Sequence, residues 1–206
     1  MCRRSRRFST TGCRRGAAAF FAEAERLQIP IFIHAAASAI ADALPRAAFG
    51  TYGFAAEIAL AAAPIITSGT AERYPRLRLA FSHAAGGFSL MLPRAQYFWG
   101  RTWNEEPPEP PEPPQDGAAG PEGPSPAEYA RRFYYDTLVF DRRALRYLAD
   151  MIGPERLLVG TDFPAMPREQ PAGRTLRSMG LPQPVLDDIT WNNCFRFLGI
   201  EPPTAG

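Results

Sequence analysis

The sequence contains no lysine: all 23 basic residues among its 206 are arginine. With 22 prolines and abundant alanine, that skew reflects a GC-rich coding sequence, and no function is read from it. Cysteine is sparse. Cys2, Cys13 and Cys194 are odd in number and lack ligand-like spacing, which excludes a disulfide scaffold and a zinc ribbon and fits a reducing compartment. Histidine is scarcer still, at two residues, His34 and His83. No window approaches the roughly eighteen uninterrupted apolar residues of a membrane-crossing helix, so no transmembrane span is predicted and the chain reads as soluble.

A broad basic face is also missing. The net charge of +2 comes from the start of the chain, where Arg3, Arg4, Arg6, Arg7, Arg14 and Arg15 occur without an acid; beyond them 17 arginines face 21 acidic residues. Neither nucleic acid nor a membrane is therefore an expected partner. The arginine-rich, acid-poor start has the composition of a transit peptide, and Ser5-Arg6-Arg7-Phe8 faintly resembles a twin-arginine signal, but no apolar segment or cleavage site follows. Residues 1–16 are expected to be a disordered basic start, and the cytoplasm is the expected compartment. The remaining balance, 46% hydrophobic and 21% charged, is that of one globular domain.

From residue 17 onward the pattern alternates helix and strand. Residues 17–28 predict a helix with Phe20, Phe21, Ala24 and Leu27 on one face, feeding a strand over Ile29–His34. A helix over 52–63 precedes a second strand, Leu77–Ser82, and another helix follows over 87–99. Residues 104–127 carry nine prolines, six acids and no base, so they predict a disordered, solvated insertion. After it come a strand over Phe133–Thr137, a helix to Ile152 capped by Asp141, a strand over Arg156–Gly160 and a last helix over about 183–198; residues 201–206 are a tail. Apolar strands separated by helices predict parallel βα units, which place ligands at strand carboxyl ends. His34, His83, Asp136 and Asp162 fall at those ends. Imidazoles and a carboxylate converging from neighbouring strands suit zinc or a similar divalent ion. Gly160 lets the backbone crowd before Asp162, and Pro164 stops the strand.

The segments Ile-Pro-Ile-Phe-Ile-His34, Arg73 to His83-Ala-Ala-Gly-Gly, Phe133-Tyr-Tyr-Asp-Thr-Leu and Gly160-Thr-Asp162-Phe-Pro164 resemble the amidohydrolase-related family. The likeness runs from about Ala17 to Gly199 and is greatest to the aminocarboxymuconate-semialdehyde decarboxylase-like branch. It implies a (β/α)8 barrel with a divalent metal, usually zinc, at the mouth formed by the strand carboxyl ends. His34 resembles the fifth-strand metal ligand and Asp162 the eighth-strand ligand. His83 resembles the histidine that serves as acid and base beside the metal. Arg94 resembles an arginine lent across a homodimer to a substrate carboxylate; its alternative is a surface arginine after a proline. For Asp136 a role in holding backbone in a turn is preferred. The resemblance implies a small carboxylated or cyclic organic substrate, and either hydrolysis or decarboxylation.

One family feature has no counterpart. The family's first strand ends in a His-x-His metal-binding pair, and His34 and His83 exhaust the histidines here. Four predicted strands match the C-terminal half of an eight-stranded barrel, so the chain reads as a C-terminal fragment with two unpaired sheet edges. Little metal and little turnover are expected unless the other half is supplied. The alternative is a catalytically silent half-barrel that acts as a binding or dimerisation module.

Overall fold

The computed structural model describes residues 10–35, 44–67, 69–100, 123–167 and 169–203, with side chains from residue 17 onward. Four strands form one parallel sheet in the order β1 (Ile31–Ile33), β2 (Leu79–Phe81), β3 (Tyr134–Asp136) and β4 (Leu157–Leu158). Phe32 pairs with Ala80, Ala80 with Tyr134, and Asp136 with Leu158. Each strand reaches the next through helices. Between β1 and β2 lie α2 (Arg46–Ala48), α3 (Phe54–Thr67) and α4 (Thr70–Arg73); between β2 and β3 lie α5 (Phe88–Gly100) and α6 (Pro126–Ala130); α7 (Arg142–Ile152) joins β3 to β4. The sheet is preceded by α1 (Thr10–Leu27) and followed by α8 (Arg174–Arg177), α9 (Gln183–Asp187) and α10 (Asn193–Leu198).

Strand side chains alternate between two layers, as the pleat requires. Leu79, Phe81, Phe133, Tyr135 and Leu157 enter the main core beneath the helices. Ala80, Tyr134 and Leu158 face the opposite side, where Phe197 of α10 packs on them. Such fully buried side chains stabilise the fold by roughly 1.5–3 kcal/mol each. The clearest amphipathic helix is α7, whose buried Leu145, Leu148, Ala149 and Ile152 recur at one-turn spacing. Its start is fixed by Asp141, whose carboxylate accepts the Arg143 and Ala144 N–H groups at 2.7 and 3.2 Å. Buried Asn193 ties the last helix to β4 by donating to the carbonyls of Pro154 and Leu157, both at 2.9 Å.

Several boundaries differ from the sequence reading. Helix α1 begins at Thr10, inside the stretch expected to be disordered, while residues 1–9 lie outside the described residues. Most of the proline-rich insertion also lies outside them, but its end is ordered. Ser125 accepts the Glu128 N–H while the Glu128 side chain accepts the Ser125 N–H, a capping box that starts α6. The strands are two or three residues long, shorter than expected, and β4 ends at Leu158, well before Pro164. The last helix is divided by a π-helical turn over Asp188–Asn192. By length and composition alone the helical stretch Arg46–Ile66, with an 18-residue window of mean hydropathy 1.4, is long and apolar enough to cross a membrane. Ile58, Ala59, Ala62, Ile65 and Ile66 on it are buried in the core.

Candidate metal centre

Each expected site residue at a strand end sits just past the carboxyl end of a β-strand or at its last residue. His34 follows β1 by one position and His83 follows β2 by two; Asp136 closes β3, and Asp162 lies four positions beyond β4. The parallel sheet turns this spacing into proximity. One ligand atom from each of His34, His83 and Asp162 lies within 4.8 Å of the others, and the two imidazole centroids are 5.1 Å apart. Two donors bound at 2.0–2.2 Å to one ion are about 3–4 Å apart, so this cluster is close to a ligand set.

Hydrogen bonding shows what the cluster requires. His34 Nδ1 lies 2.6 Å from the Ala35 carbonyl oxygen, which only accepts, so the hydrogen-bond network assigns the proton to Nδ1. In the neutral ring Nε2 then carries a bare lone pair, and it faces Asp162 Oδ1 at 3.3 Å. A lone pair against a carboxylate is repulsive unless a cation, or a second ring proton, lies between them. A backbone carbonyl on the far nitrogen is the usual way to orient a metal-binding imidazole. The third member supplies a further sign, because His83 Nε2 is buried without a hydrogen-bond partner. Such an atom is costly in an apolar interior and is expected where a ligand belongs. The residues present therefore fit a divalent cation.

The backbone that presents them is held in an unusual conformation. His83, Ala84 and Ala85 have φ of 50, 52 and 55°, and Asp162 has φ of 51°. Left-handed backbone costs a non-glycine residue about 1–2 kcal/mol, so such a run persists only where its surroundings hold it. Asp136 does this. Its carboxylate accepts the N–H groups of His83 at 3.0 Å, Ala84 at 2.9 Å and Leu138 at 3.1 Å. Burial pushes its carboxyl above the usual range, opposed by those three N–H groups and by His83. The expected backbone-holding role is thus present, and it extends to the loop after β2, beyond Asp136's own turn. Gly160 is crowded as expected, since a Cβ there would lie 2.7 Å from the Asp136 carboxylate. Sequence reasoning missed the Ala35 carbonyl and the left-handed run, which no residue type signals.

Arg94 is not drawn into the cluster. It is exposed on α5, with its guanidinium 4.9 Å from the centroid of the Phe98 ring.

Comparison with known proteins identifies the family. A family model described as Amidohydrolase matches residues 5–200. The chain is 28% identical over 184 residues to 2-amino-3-carboxymuconate-6-semialdehyde decarboxylase of Dictyostelium discoideum, covering 88% of this chain and 48% of that protein. It is similar to the solved 5-carboxyvanillate decarboxylase of Sphingomonas paucimobilis, with TM-score 0.70 and 27% identity over 88% of this chain and 52% of that one. A dihydroxybenzoic acid decarboxylase from Polaromonas sp., solved with manganese and 2-nitroresorcinol, shares the fold at TM-score 0.68 and 21% identity, over 88% and 53% of the two chains. The chain thus spans about half the length of these relatives. Its four parallel βα units are half of a (β/α)8 barrel. By the extent of the family match and by this shared half-barrel, the chain belongs to the amidohydrolase family, in its aminocarboxymuconate-semialdehyde decarboxylase-like branch.

Proposed function

We propose that this chain carries the C-terminal half of a divalent-metal-dependent decarboxylase site for a small aromatic or unsaturated carboxylate. The observation that carries this reading is His34 Nε2 facing the Asp162 carboxylate at 3.3 Å, with the unpartnered His83 Nε2 beside them. His34 and Asp162 hold the ion. An ion held there supplies Lewis-acid polarisation of a substrate oxygen. His83 transfers the proton: as the bond to the carboxylate carbon breaks and carbon dioxide leaves, the electron pair stays on the substrate carbon, which takes a proton from the His83 imidazolium. Arg94 holds the substrate carboxylate from a neighbouring subunit of a homodimer, a role its exposure on α5 permits.

Decarboxylation is preferred to hydrolysis because the relatives named above are decarboxylases. Zinc fits the imidazole of His34 and the carboxylate of Asp162, while manganese is the ion in the Polaromonas relative. The catalytically silent half-barrel is the competing reading, favoured by the absence of a His-x-His pair in this sequence.

Metal analysis after dialysis against zinc or manganese, alone and with a chain supplying the His-x-His half, tests the proposal. With that half present, about one ion per chain and decarboxylation of an aromatic carboxylate are expected. Asp162→Ala should remove most of the ion. Unchanged metal content in that variant removes Asp162 from the ligand set, and a metal-free, inactive assembly supports the silent half-barrel.

A further inference from the structure

Asp136 contributes no ligand atom to the cluster, yet it touches the loops that carry two of its three members, His83 and Asp162. Its carboxylate spans two strands: Oδ2 accepts the His83 N–H, while Oδ1 accepts those of Ala84 and Leu138. Against its other side runs the exit of β4. Gly160 approaches so closely that any Cβ would meet the Asp136 Cβ, Cγ and Oδ2 at 2.7 Å, and Asp162 follows two residues later. Asp136 is itself buried, so no solvent competes for these bonds.

We propose that Asp136 is a positioning residue for the metal centre: its carboxylate sets the left-handed turn that aims the His83 imidazole at His34, and seats the β4 exit that delivers Asp162. The purpose of the aimed imidazole rests on the proposed function; the aiming itself does not. His83, Ala84 and Ala85 lack the freedom of glycine, and their consecutive positive φ values must be imposed from outside. An acceptor shared by the first two N–H groups of that run imposes them directly. Asparagine at this position has one acceptor oxygen. If that oxygen serves Ala84 and Leu138, its NH2 faces the His83 N–H, and the turn is released at the imidazole.

The two-histidine sequence makes the test simple. In metal-free, histidine-labelled protein, the ring signals are assigned with His34→Gln, and the nuclear Overhauser effect between the two rings reports their 5.1 Å approach. Asp136→Asn is expected to weaken that effect at least about tenfold while the far-ultraviolet circular dichroism stays native. A role confined to stability would lower the melting temperature and leave the ring contact unchanged. A wild-type ring contact in folded Asp136→Asn overturns the proposal. If the variant does not fold, amide exchange in the wild-type chain decides: His83 and Ala84 amides should be as protected as those of β2, and loop-like exchange overturns the proposal. Manganese added to the labelled chain assembled with a chain supplying the His-x-His half separates the two readings. If it broadens neither wild-type histidine signal while Asp136→Asn still loses the ring contact, the metal reading fails and the positioning role stands.

Discussion

His34 Nε2 and Asp162 Oδ1 lie 3.3 Å apart although 128 residues separate them in sequence. They come from opposite edges of the described sheet, β1 and β4. The segments that leave β1 and β4 at their carboxyl ends bring the two side chains together, and His83 from β2 joins them there.

If His83 moves the proton and leaves ion binding to the other two, His83→Ala should retain bound metal when the barrel is complete but lower turnover by at least about 100-fold. Steady-state kinetics beside metal analysis checks this. Loss of the ion in the same variant would make His83 a ligand instead.

The capping box at α6 should contribute to stability independently of the site. Ser125→Ala leaves the Glu128 N–H without its side-chain acceptor and should destabilise the fold by about 1 kcal/mol. Urea denaturation measures it, and the metal content of the assembled barrel should not change.

Asp141 gives a pH-dependent prediction. Its carboxyl is lowered from 3.8 to about 2, first by the Arg143 side chain and then by the Ala144 and Arg143 N–H groups. A group depressed in the folded state stabilises above its unfolded value, and that contribution fades as the pH falls through about 2. The difference in urea midpoint between wild type and Asp141→Asn should therefore be full at pH 5 and shrink steadily between pH 4 and 2. A difference that grows toward low pH would reverse the assignment.

At Gly86 the loop carrying His83 packs tightly against helix α3. Gly86 has φ of 59°, and a Cβ there would overlap the Ala55 carbonyl oxygen. Gly86→Ala should cost at least about 2 kcal/mol, measured by thermal or urea unfolding. A neutral outcome would show that α3 can move away freely.

The architecture was legible where the chemistry is local. The apolar runs around Ile31, Leu79, Tyr134 and Leu157 predicted strands because β-branched and aromatic residues suit a buried pleat, and all four formed. Asp141 before an amphipathic run, and histidines at the ends of apolar segments, were equally readable. Residues 10–16 were not, since Arg14, Arg15 and Gly16 show no apolar period, although a helix begins at Thr10. Ser125 has capping-box spacing to Glu128 but lies inside the proline-rich stretch over residues 104–127, which masks the signal. The rest was invisible for a different reason. The grip of Asp136 on His83 joins residues 53 positions apart, and the left-handed turn it imposes falls on histidine and alanine, not on glycine or asparagine.

The central claim is that His34, His83 and Asp162 surround one cation. Relaxation of the histidine ring signals during a manganese titration of the labelled chain, assembled with a chain supplying the His-x-His half, tests it most directly. Both rings should broaden together, at the same ion concentration, and Asp162→Asn should raise that concentration at least about tenfold. Broadening of one ring alone, or an equal response in the variant, would contradict it.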